Sequence, residues 1–103
     1  MTITTPDARL MELQQLASAA RTLDISDDEA FVRLIAACGR TLELTDQQIA
    51  DSLGVSRPTV NRWSRGVNLP HRLMRNPIAQ WIADAALERT RLRTRGAGSR
   101  AMA

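Results

Sequence analysis

Residues 45–66, TDQQIADSLGVSRPTVNRWSRG, read as two short amphipathic helices separated by a three-residue turn, the second of them rich in arginine. Ile49, Ala50 and Leu53 on the first helix, Val55 in the turn, and Val60 and Trp63 on the second form one apolar seam, and the residues between them are mostly polar. Side chains three and four apart share a helix face, so each run turns its apolar members to one side. The small Ala50 lets the second helix cross closely over the first. Gly54 can adopt the left-handed conformation that a tight turn demands. Thr45 and Gln48 match a capping box at the start of the first helix. The second helix starts at Ser56 or Arg57. Pro58 needs no N–H in a first turn, yet it biases the residue before it away from helical angles, which makes Arg57 itself a candidate N-cap. Gly66 closes the helix.

Working outward, Pro6–Leu23 reads as a helix with Thr5 as cap and Pro6 at its first position, carrying Leu10, Leu13, Leu16, Ala17, Ala20 and Leu23 on one side. Ser26 and Glu29 match a second capping box, with Asp27 and Asp28 at the positive end of the helix they open; Phe31, Leu34, Ile35 and Cys38 form its apolar face. Gly39 either ends that helix or is tolerated inside it. After Gly66, VNLPHRLMR reads as a loop, and Asn76 then caps a fifth helix with Pro77 at its start and Ile78, Trp81, Ile82, Ala85 and Ala86 on one face. From about Arg91 the chain lacks an apolar stripe and reads as a flexible basic tail. The expected organisation is all-α: one domain over 1–90 with about five helices, and an arginine-rich tail over 91–103.

The ordered combination of Ile-Ala at 49–50, Leu-Gly-Val-Ser at 53–56, Thr-Val at 59–60 and Arg-Trp-Ser-Arg-Gly at 62–66 resembles the helix-turn-helix of the Cro and C1 repressor class, also called XRE-type. The likeness is close over about 20 residues and loose over about 65, the size of one small domain. It implies a DNA-binding protein whose second motif helix enters the major groove by its N-terminal end. With Val60 and Trp63 turned inward, the residues facing bases are then Arg57, Pro58, Asn61 and Arg62. Arg57 and Arg62 suit guanine O6 and N7, Asn61 suits adenine N6 and N7, and Pro58 offers apolar contact to a thymine methyl. Thr59, Ser64 and Arg65 lie toward the flank as phosphate ligands, joined by Gln47 and Ser56 near the helix N-termini. One residue departs from the class pattern. Its leading helix often begins with a glutamine that touches phosphate, whereas this chain has Asp46, which suits the helix dipole but repels a phosphate.

Charge follows the motif. Residues 1–51 hold four arginines against nine acids, a net of −5, and residues 52–103 hold ten arginines against Asp84 and Glu88, a net of +8, with no acid between Ser52 and Ala83. A localised positive face attracts a polyanion and makes its binding salt-dependent through counterion release. All fourteen basic residues are arginine, the side chain that bonds guanine edges and phosphates bidentately.

Other chemistry finds little support. Cys38 is the single cysteine, which rules out an intrachain disulfide or a cysteine-based zinc site, and a buried thiol is expected. His71 is the single histidine, without a companion ligand, so no metal and no cofactor is expected, and neither a Ser-His-Asp set nor a glycine-rich phosphate loop is present. No apolar run approaches the length of a membrane span, and MTITTPDARL lacks the pattern of a signal peptide, so a cytoplasmic protein is expected. The expected function is a dimeric transcriptional regulator, most simply a repressor or autorepressor that occludes a promoter and binds double-stranded DNA at a palindromic operator. The alternative is an adaptor or antiactivator that keeps the fold but contacts a protein partner. Two apolar faces are candidates for the homodimer contact: Leu10, Leu13, Ala17 and Ala20 on the first helix, and Ile78, Trp81, Ile82 and Ala85 on the fifth.

Overall fold

A computed structural model describes residues 8–102, with side chains described for 8–94; the Thr5 and Pro6 cap lies outside the described residues. Every regular element among these is helical: α1 (Ala8–Arg21), α2 (Asp28–Thr41), α3 (Asp46–Leu53), α4 (Arg57–Ser64) and α5 (Arg72–Met102).

The helix starts follow from side chains that reach unpaired backbone N–H groups. Thr45 caps α3 with the full capping box: its hydroxyl accepts from the Gln48 N–H, and the Gln48 side chain accepts from the Thr45 N–H. The cap of α2 differs from the sequence-based expectation. Ser26 is engaged with Asp24, its N–H donating at 3.0 Å and its hydroxyl at 2.6 Å to the Asp24 carboxylate, so Asp27 caps the helix by accepting from the Ala30 N–H. A short polar side chain bonding two residues ahead competes with a cap role, and here it wins. Those hydrogen bonds from Ser26 hold the Asp24 carboxyl below its ordinary pKa. Gly39 is carried inside α2, which runs to Thr41 and is closed by Leu42.

Helix α5 is the largest correction. It begins at Arg72 instead of Asn76, and Pro77 sits inside it. His71 supplies the start: its Nδ1 accepts from the Leu73 N–H, and its carbonyl accepts from Met74. Pro77 removes one rung of the helix ladder, but the carbonyl it leaves unpaired belongs to Leu73, whose residue is exposed to water. At its other end α5 continues to Met102, through the stretch read as a tail. Arginine, leucine and alanine are good helix formers, and no proline interrupts them there.

Buried arginine decides the path between α4 and α5. Arg75 is only 5% exposed, and its guanidinium donates to the carbonyls of Pro70 and Ile25 and to Asp28, while lying 5.3 Å from the centre of the Phe31 ring. The start of α5 is thereby tied to the start of α2. Farther along, Arg89 donates to the Leu42 carbonyl, and Arg9 on α1 pairs with Glu43 at the same end. These ties make α5 parallel to α2 and α1 antiparallel to both.

The core fills the space between them. Leu13, Leu16, Ala17 and Ala20 of α1 are buried together with Ile78, Ala79, Ile82, Ala83 and Ala86 of α5, and these two helices share the most extensive contact of the fold. Alanines on both sides allow close approach. Both candidate dimer faces are therefore spent inside one chain: Leu13, Ala17, Ala20, Ile78 and Ile82 are buried, and Leu10, Trp81 and Ala85 are half-buried. Helical spacing cannot tell a face that meets a second copy from one that meets a neighbouring helix. Cys38 is buried as expected, and desolvation pushes its thiol up to about 12.

Two expectations follow from this packing. Phe31→Ala should lower stability by about 3–5 kcal/mol in urea unfolding, because it opens a cavity and strips Arg75 and Trp63 of the ring they pack on. The glycines should respond in opposite directions. A Cβ on Gly39 would lie at ordinary contact distance, 3.5 Å from the Leu44 carbonyl oxygen, so Gly39→Ala should raise stability by about 0.5–1 kcal/mol. Gly54 has a φ of +72° with open space around it, so Gly54→Ala should cost about 1 kcal/mol through backbone strain alone.

Candidate nucleic-acid interface

Helix α4 stands on the molecule through its inner face. Val60 and Trp63 are buried, and the Trp63 ring meets Phe31 of α2 edge to face with centroids 6.1 Å apart. Ile49 and Ala50 of α3 are buried against the same seam, with Leu53 and Val55 partly covered. The three residues Gly54, Val55 and Ser56 make the turn, Gly54 in the left-handed region as expected. Ser56 proves to be the N-cap of α4, its hydroxyl accepting from the Thr59 N–H, so Arg57 and Pro58 are the first two helical residues. Proline in the first turn leaves no hydrogen bond unmade.

With the inner face fixed, the outer face is determined. Arg57, Pro58, Asn61 and Arg62 are all exposed, and with Arg65 they occupy an arc of roughly 140° at 3.6 residues per turn. Among the described residues, neither the Arg57 nor the Arg62 guanidinium makes a hydrogen bond or ion pair. Both guanidiniums keep all their donors for an external partner. The surrounding chain contains no acid from Ser52 to Ala83 to neutralise them.

Asn61 is held from both ends. Its amide nitrogen donates to the Asp46 carboxylate of α3 at 3.2 Å, and its amide oxygen accepts from Arg65 Nε at 3.0 Å. The sequence singled out Asp46 only for what it is not, a phosphate-binding glutamine. Its reach across to α4 depends on how the two helices cross, which spacing along the chain does not encode.

The flanking polar residues are more occupied than the sequence suggests. Ser56 and Thr59 bond each other through their hydroxyls at 2.7 Å, Ser64 gives its single hydroxyl proton to the Asn61 carbonyl, and Gln47 donates to Asp51. Within the structure these side chains cap and brace their own helices. Arg75 leaves the basic face altogether, since its buried guanidinium is bonded to Pro70, Ile25 and Asp28. Toward the C-terminal end, Arg91 pairs with Glu88.

His71 serves as a backbone cap, and among the described residues no three His, Cys, Asp or Glu side chains converge as metal ligands. No described helix is long and apolar enough to cross a membrane. Comparisons with family models, with curated proteins and with solved structures find no match to this chain. The chemistry of the α4 face is therefore the guide to its role.

The cap at Ser56 sets where α4 begins and so how its first turn is presented. Ser56→Ala should lower stability by about 1 kcal/mol and raise the amide exchange rate at Thr59, whose N–H loses the hydroxyl acceptor and keeps only the Ser56 carbonyl.

Proposed function

We propose that this protein is a cytoplasmic, sequence-specific double-stranded DNA-binding regulator of transcription, and that α4 is its reading helix. It acts as a dimeric repressor or autorepressor by occupying a promoter. The observation that carries this reading is the pair of unpartnered guanidiniums, Arg57 and Arg62, exposed on the first two turns of a short helix whose opposite face is anchored in the core.

Guanidinium carries five donors and no acceptor, so two of them left without carboxylates favour an anionic or acceptor-rich partner. The major groove offers both, phosphates along its edges and guanine O6 and N7 on its floor. Asn61 between them matches the donor and acceptor of an adenine edge. An eight-residue helix with its rigid side on Phe31 has the dimensions to enter that groove. A second copy on a palindrome, about 34 Å away along the duplex, would double the contact.

A second reading, a protein-binding adaptor, is favoured by one feature. Leu73 is 74% exposed and Met74 is 55% exposed at the start of α5, an apolar pair open to a partner.

Selection from a random duplex pool followed by salt titration separates the two readings. DNA binding requires enrichment of a defined, palindromic sequence, and failure to enrich any sequence favours the adaptor. On the selected site, Arg57→Ala and Arg62→Ala should each cost about 1–3 kcal/mol and relax preference at one base pair per half-site. Uniform weakening on all sequences would mean that these side chains touch phosphate and that the helix is turned differently in the groove.

A further inference from the structure

We infer that Asp46 is a positioning residue for base reading: by holding the amide nitrogen of Asn61 it fixes which end of that amide meets the purine, and so selects adenine over guanine at one base pair of each half-site. This rests on the reading of α4 as the DNA-reading helix.

The argument begins with what each neighbour can exchange. An ionised carboxylate only accepts hydrogen bonds and a guanidinium only donates them. Asp46 therefore requires the NH2 end of Asn61, and Arg65 requires its oxygen, which are the two bonds observed. Turning the amide over would set oxygen against carboxylate and NH2 against guanidinium, losing both bonds and opposing like partners. The sense of the amide is set before any ligand arrives.

Each bond leaves capacity in reserve. The NH2 group has a second hydrogen and the oxygen a second lone pair, the two features that a bidentate contact to adenine consumes, donating to N7 and accepting from the 6-amino group. Adenine and guanine share N7 and differ at position 6, where adenine donates and guanine accepts. An amide free to turn over could offer NH2 to guanine O6; one locked by Asp46 and Arg65 offers oxygen there, which guanine O6 repels. Discrimination between the purines thus depends on a side chain that belongs to α3.

The same arrangement explains an acid on an otherwise basic face. Asp46 is half-buried at the first position of α3, where a carboxylate is favoured by the helix N-terminus, and its charge is committed to Asn61. Placing the carboxylate there costs the surface one phosphate-compatible position and contributes the orientation of a reading group.

The test uses the full chain, the duplex that selection yields, and the same duplex with A·T replaced by G·C at the pair that Asn61→Ala identifies. For the unaltered protein the ratio of affinities should favour adenine. Asp46→Ala should shrink that ratio about tenfold, the size of a modest bidentate discrimination, while the preferences at the Arg57 and Arg62 base pairs stay unchanged. Asp46→Asn keeps an oxygen acceptor for the Asn61 NH2 and should retain the ratio. Arg65→Ala approaches the same amide from its other end and should also shrink it; this variant keeps the inference testable if Asp46→Ala does not fold, which its thermal melt reports. An unchanged adenine-to-guanine ratio in Asp46→Ala, or an equal loss of affinity on both duplexes, overturns the role of Asp46 alone. Absence of any sequence preference in the unaltered protein overturns the DNA reading beneath it.

Discussion

The ring of Phe31 is the point on which the arrangement turns. It is fully buried on α2, meets the Trp63 ring of α4 in an edge-to-face contact, and carries the Arg75 guanidinium that leads into α5. Three segments distant in sequence thus meet on one six-membered ring. The contact with Trp63 fixes the rotation of α4 about its own axis, and that rotation places Arg57, Asn61 and Arg62 outward. Burying a guanidinium is costly unless its donors are used, and here two carbonyls and one carboxylate use them. The aromatic face beneath adds a cation–π contribution.

Around this hub, polar side chains are divided between holding the fold and facing outward. Arg75, Arg89 and Arg9 bind helix ends together, whereas Arg57 and Arg62 bind nothing in the described chain. All are arginine, so residue type does not distinguish them. Location does: the structural arginines lie where carbonyls or acids bond them, and Arg57 and Arg62 lie on a face of α4 whose neighbouring carboxylate, Asp46, bonds Asn61 instead. The net charge of the basic half overstates its available surface, because part of that charge is internal.

The outer face of α4 also shows order within itself. Asp46, Asn61 and Arg65 form a chain of hydrogen bonds that crosses from α3 to α4, so the two short helices are joined by polar contacts on the outside as well as by the apolar seam within. A surface stiffened in this way would lose less conformational entropy on contact with any partner.

Much was legible along the chain: the all-α class, the seam from Ile49 to Trp63, the Thr45 capping box, the left-handed Gly54 and the outward set Arg57, Pro58, Asn61 and Arg62. These depend on local periodicity, capping chemistry and the steric freedom of glycine, all of which act within a few residues. Tertiary structure decided the rest. Ser26 yielded its cap to Asp27 because Asp24 had claimed its hydroxyl, and α5 began before Pro77 because His71 capped it and Arg75 was anchored to a helix nearly fifty residues away. The apolar faces of α1 and α5, indistinguishable from dimer surfaces by spacing, were assigned to each other by the antiparallel course of the chain. Asp46 acquired its partner in the same way. Periodicity states which side of a helix is buried, but the neighbour that buries it is chosen by long-range packing, which no short stretch of sequence contains.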